Sequence, residues 1–235
     1  MFSLANILCY IALVAAVVVS AVFTVKRASG ANYKNLILKV ISSFLFILTG
    51  CAAFNANHRP EHALLIIIGL VFGLSGDAFL DMKYVYPKDE IANTFAGFAS
   101  FIIGHVFYTL FLFFKYPAHT AHLITAVIVG VVAGAAIYLT PKLMKLDYGR
   151  FRVISSCYAA FLVFITVYSV LMAISFGLTS QWLMGIGLVL FLLSDLVLSQ
   201  IYFGKDKNTK FNAGINHALY YAGQILIAFS IFFLV

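Results

Sequence analysis

Eight runs of about twenty mostly apolar residues, separated by short polar loops, constrain this 235-residue chain more than any other feature. A run of that length is what an α-helix needs to cross the hydrocarbon of a bilayer. The runs cover 4–25, 36–54, 63–82, 94–114, 121–140, 152–175, 181–203 and 212–234. Each is continuously apolar and does not alternate, so helices are expected and barrel strands are not. With 63% hydrophobic and 10% charged residues, too little polar sequence is left to cover a water-soluble domain. The expected fold is all-α: one polytopic transmembrane domain of eight helices. The first run lacks a basic start and is too long for a cleaved leader, so it is expected to be retained.

The formal charge of +7 points to orientation and not to nucleic acid. The loops after helices 1, 3, 5 and 7, with the interfacial Lys39 and Arg152, hold thirteen of the fifteen basic residues, including Lys26, Arg27, Lys142 and Lys210. Arg59 and Lys115 are the other two. Basic loops stay in the cytoplasm, which puts both termini outside, in a multi-pass protein of the inner membrane of a bacterium or the endoplasmic reticulum of a eukaryote. Cys9, Cys51 and Cys157 lie in apolar stretches, without the number or spacing of a disulfide framework or a metal site.

Two short patterns recur. Lys39-Val-Ile-Ser42-Ser43 opens helix 2 and Arg152-Val-Ile-Ser155-Ser156 opens helix 6. Gly69-Leu-Val lies eight residues before Asp77, and Gly187-Leu-Val lies eight before Asp195. A duplication of four helices, 1–114 and 121–235, accounts for both, with the halves parallel about an axis along the membrane normal. It places Asp77 and Asp195 on facing halves at equivalent depth.

Those aspartates are the costly residues. A carboxylate at membrane depth is disfavoured by at least about 2.5 kcal/mol and marks function by default. Gly69, Gly73, Asp77 and Asp81 recur at i, i+4, so they form one stripe of helix 3, and its glycines admit a neighbouring backbone. The carboxylates therefore point into the bundle. His105, Tyr108, Ser194, His217, Tyr221 and Gln224 are the expected supporting groups from helices 4, 7 and 8. Ser42, Ser43, Ser155 and Ser156 are expected to bond to their own helix backbone. Counted from the ends of their runs, Asp77 is about five residues deep and Asp195 about eight, roughly 7–12 Å below the surface. Lys39 and Arg152 are expected just above them, with Asp81 at the rim, as groups that bind a lipid headgroup. Cations over carboxylates over apolar walls suit a single-chain phospholipid.

Gly69-Leu-Val-Phe-Gly-Leu-Ser-Gly-Asp77-Ala-Phe-Leu80, Gly104-His105-Val-Phe-Tyr108, Leu193-Ser194-Asp195-Leu-Val-Leu198 and Tyr220-Tyr221-Ala-Gly-Gln224 together resemble the YhhN-type lysoplasmalogenase family, in order and along all eight helices. The resemblance implies hydrolysis of the vinyl ether of a lysoplasmalogen to a fatty aldehyde and glycerophosphocholine or glycerophosphoethanolamine. It implies no cofactor, and partners limited to the lysophospholipid and membrane lipids. The residues suit that chemistry on their own account. Vinyl ether cleavage asks for one protonated carboxyl to protonate carbon and one carboxylate to stabilise the cation and deprotonate water, as in glycosidases. Two facing carboxyls in a dry site share a proton. Asp77 and Asp195 are the expected pair, with Asp195, the deeper one, as the acid. Two alternatives stand beside this reading. One is a metal-dependent lipid hydrolase using Asp77, His105, Asp195 and His217 on zinc. The other is a proton-coupled transporter, which the placement of Pro60, Pro87, Pro117 and Pro141 outside the helix interiors disfavours.

Overall fold

The computed structural model describes residues 3–28, 30, 32–141, 143 and 145–235; Lys142, counted among the basic loop residues, lies outside them. Eight helices follow in chain order: α1 (Leu4–Ala28), α2 (Tyr33–Ala56), α3 (Ala63–Val85), α4 (Glu90–Lys115), α5 (Thr120–Leu139), α6 (Arg152–Phe176), α7 (Thr179–Phe203) and α8 (Lys210–Ser230). All eight are long and apolar enough to cross a membrane. The chain is an integral membrane protein. No strand occurs among the described residues, apart from one isolated bridge between Leu146 and Gly204.

Several helices run a turn beyond their apolar stretch, α3 to Val85 and α4 back to Glu90 among them, because polar side chains at a helix end reach the interface. Their ends carry ordinary punctuation. Asn32 caps α2 by accepting from the Asn35 amide, and Thr209 caps α8 by accepting from Asn212. Gly177, at φ 66°, closes α6 in the left-handed conformation that favours glycine.

Consecutive helices pack as hairpins, α1 on α2, α3 on α4, α5 on α6 and α7 on α8; α2 also meets α8, and α4 meets α6. The second and fourth hairpins cross at glycines. A Cβ on Gly69 would overlap the Tyr108 ring and stand 2.9 Å from the Gly104 carbonyl oxygen. A Cβ on Gly187 would stand 2.8 Å from the carbonyl of Gly223. Only hydrogen fits at these crossings, as the stripe on helix 3 anticipates. The α8 span is the most buried and α1 and α5 the least. The lipid-facing surface of α1 is a row of exposed Leu, Ile and Val.

Candidate active site

The polar residues gather where α1, α3, α5 and α7 end and α2, α4, α6 and α8 begin, here termed the basic end. A cleft enclosing about 530 Å³, its open mouth included, is lined there by Asp77, Asp81, Asp195, Lys39, His217 and Ser194 among others. Asp77 lies eight residues from the last residue of α3, and Asp195 eight from that of α7. Their depths thus match, and the greater depth expected for Asp195 disappears because α3 is longer than its apolar run.

Asp77 is held on both oxygens. Oδ2 accepts from the Ser43 hydroxyl at 2.5 Å and from the Tyr220 hydroxyl at 2.7 Å, and Lys39 Nζ lies 3.2 Å from Oδ1. Lys39 also reaches Asp81 at 3.3 Å, and Arg27 Nε lies 3.4 Å from the other Asp81 oxygen. Arg27, Asp81, Lys39 and Asp77 therefore form a chain of alternating charge. Such a chain is affordable at this depth because each ion has a partner. Above it, the Arg27 guanidinium covers the Tyr84 ring at 4.7 Å and Lys83 Nζ covers Tyr202 at 3.3 Å.

Asp195 is held differently. The Tyr158 hydroxyl donates to its Oδ2, and among the described residues it makes no ion pair. One carboxyl thus faces an ammonium and the other a neutral phenol. Ser194, beside it, is fixed by Asn216, whose amide donates to the Ser194 carbonyl at 2.8 Å and the hydroxyl at 3.1 Å.

A hydrogen-bonded line reaches Asp77 from the interior. The Tyr108 hydroxyl donates to Gln224 Oε1 at 3.2 Å, Gln224 Nε2 donates to Tyr220 at 3.3 Å, and Tyr220 donates to Asp77. Gln224 fits because Gly73 has no side chain: a Cβ there would stand 2.9 Å from Gln224 Nε2. The Tyr221 hydroxyl is 3.3 Å from both Ser43 Oγ and the Lys39 carbonyl.

Four expectations need correction. Lys39 is not at the rim; it is 4% exposed and bound to carboxylates, because its stem lies along the bundle interior. Arg152 does not share its setting, since its guanidinium donates to the Tyr138 carbonyl of α5 and stacks on that ring. Asp81 is occupied by two cations. Of the four serines, only Ser42 bonds to its own helix, through the Leu38 carbonyl. Ser43 turns to Asp77, Ser156 donates to Gly134 of α5, and Ser155 Oγ has no partner among the described residues.

His105 and His217 are set apart. His217 lines the cleft, edge-on to Phe23. His105 is buried outside the cleft lining, with its ring against Tyr108, Tyr158 and Phe191. Its Nδ1 is 2.6 Å from the Phe101 carbonyl, which only accepts, so Nδ1 carries the hydrogen. Among the described residues no three of His, Cys, Asp and Glu come together in a metal-holding group.

Sequence reasoning missed three groups. Tyr158 carries no motif. Arg27 reads as an ordinary topogenic charge, and Ser43 as a backbone-bonded serine. A charge count offers the only signal: two intramembrane aspartates on one helix require cations near both.

A family model described as the YhhN family matches residues 34–231, which run from the start of α2 to the end of α8. No curated protein and no solved structure matches the chain.

Proposed function

The chain belongs to the YhhN family, and from that premise we propose that it hydrolyses the vinyl ether bond of a lysoplasmalogen by carboxylate acid–base catalysis, without a cofactor. One observation carries the reading. Asp77 and Asp195 line the same cleft, and only Asp77 is paired with a cation. Vinyl ether hydrolysis needs that inequality: one proton donor and one standing negative charge.

In this reading Asp195, facing the Tyr158 phenol, holds the proton. It delivers it to the β carbon of the vinyl ether, and the π electrons form the new C–H bond. The oxygen-bound carbon becomes an oxocarbenium ion, which the Asp77 carboxylate stabilises at close range. Water adds to that carbon as Asp77 takes one of its protons, giving a hemiacetal. The hemiacetal hydroxyl then returns a proton to Asp195 while Asp77 protonates the glyceryl oxygen. The C–O bond breaks, releasing the fatty aldehyde and the glycerophospho-alcohol with both aspartates restored. General acid–base steps of this kind contribute roughly 10²–10⁴-fold each.

The basic end is proposed to face the cytoplasm, following the placement of the basic loops. Carbon protonation provides the test. Turnover in heavy water with rapid trapping of the product must give an aldehyde with one deuterium at C2, and no aldehyde from a saturated alkyl-ether analogue. A C2 free of deuterium, or no release at all, would remove the proposal.

A further inference from the structure

A second chamber opens beside the cleft, and the two share Asp195, Leu198 and Tyr202 as a common wall. It lies among α4, α5, α6 and α7. Away from Asp195 its walls are mainly apolar, with Ile137, Ala159, Leu162, Leu192 and Leu196 prominent. The loop before α6 closes it from the basic end: the Asp147 amide donates to the Phe203 carbonyl at 2.8 Å, and Tyr148, 3% exposed, packs its ring on Phe203. Leu196 is 48% exposed on the outside of the bundle, so one wall of the chamber borders lipid.

Through other lining residues the cleft continues into a polar mouth. Arg27, Tyr84, Asn208 and Ala213 line both, and Lys210 lines the mouth alone. Cations, carboxylates and an apolar chamber thus follow one another along a single path, with Asp195 where polar lining gives way to apolar.

We propose that the α4–α7 chamber holds the hydrocarbon chain of a single-chain lipid whose headgroup lies toward Arg27 and Lys210. The proposal rests on the hydrolase reading for the position of the reacting bond, because a chain seated there puts the atoms next to it at Asp195. It also supplies the discrimination that the carboxylates lack. A chamber of fixed volume measures chain length, and each methylene it buries contributes about 0.8 kcal/mol, close to fourfold in affinity.

The test compares 8- and 16-carbon chains in two ways. Dissociation constants of saturated alkyl-ether lysophosphocholines, which cannot be cleaved by this route, are measured on the purified protein in detergent. Aldehyde release is measured from the corresponding lysoplasmalogens. Ala159→Trp fills the chamber and must lower the 16-to-8 preference in binding at least tenfold. Ile137→Ala enlarges it from a half-buried position and must move the preference the other way, which keeps the test decisive if Ala159→Trp fails to fold. An unchanged preference in folded Ile137→Ala, or in both variants, overturns the chamber as the chain site. If chain-length-dependent binding shifts as stated but no aldehyde forms from any substrate, the chamber stands and the hydrolase reading falls.

Discussion

Lys39 and Asp77 form a 3.2 Å ion pair inside the bundle, with side chains 5% and 3% exposed. The pair joins α2 to α3, and Lys39 extends it to Asp81, 3.3 Å away. Removing one partner of a buried pair leaves an uncompensated charge, at about 3–5 kcal/mol.

Lys39→Met, similar in volume but uncharged, is therefore expected to lower the melting temperature in detergent and reduce kcat, with KM changing less. Arg152→Met, which frees the Tyr138 carbonyl and removes the guanidinium from that ring, is expected to keep kcat and KM within about twofold of the parent, as distant surface changes do. A rise in KM alone for Lys39→Met would return Lys39 to a headgroup-binding role.

Tyr158→Phe removes a single hydroxyl, the one that donates to Asp195. Asp195 becomes charged as it gives up its proton, and a hydrogen bond to a charged group is worth about 1.5–3 kcal/mol, so kcat should fall by roughly tenfold or more at nearly constant KM. Steady-state aldehyde release checks this; an unchanged kcat would reduce Tyr158 to packing against Phe98 and His105.

Gly69→Ala drives a methyl into Tyr108 and toward the Gly104 backbone. Overpacking costs about 1–3 kcal/mol, and the melting temperature should fall. Gly214→Ala is the control: nothing lies within 4 Å of a Cβ there, and alanine favours the helix by up to about 1 kcal/mol. Equal melting temperatures for the two variants would contradict the close crossing of α3 and α4.

The fold was legible because spanning helices advertise themselves by length and composition, and the ends missed were polar turns beyond the apolar runs. The i, i+4 stripe located the interior face of α3, since a helix surface is fixed by its own periodicity. Partners were harder. Nothing in the sequence sets how far α6 is rotated, and that rotation sends Arg152 and Ser156 to α5 and brings Tyr158 to Asp195. The repeat in sequence suggested equal roles for Lys39 and Arg152, whereas packing gave them different neighbours. Lys39 was misplaced for a simpler reason: a long stem lets an ammonium lie well away from its own Cα.

Topology is checked independently of activity. A reporter fused after Val235 should work only in its extracytoplasmic form, and one inserted in the 204–211 loop only in its cytoplasmic form. The reverse pattern would place the cleft in the other leaflet and the basic loops against the positive-inside rule.

The central claim is that Asp77 and Asp195 act as one catalytic unit, and the most direct measurement is aldehyde release from lysoplasmalogen by the purified protein in detergent with EDTA present. The parent should turn over under these conditions. Asp77→Asn and Asp195→Asn, confirmed folded by their melting curves, should each lower kcat at least about 100-fold, and the double variant should lose little more, because residues acting as a unit are not additive. Near-normal release from either folded single variant would contradict the two-carboxylate mechanism. Activity abolished by EDTA and restored by zinc would transfer the same residues to metal catalysis.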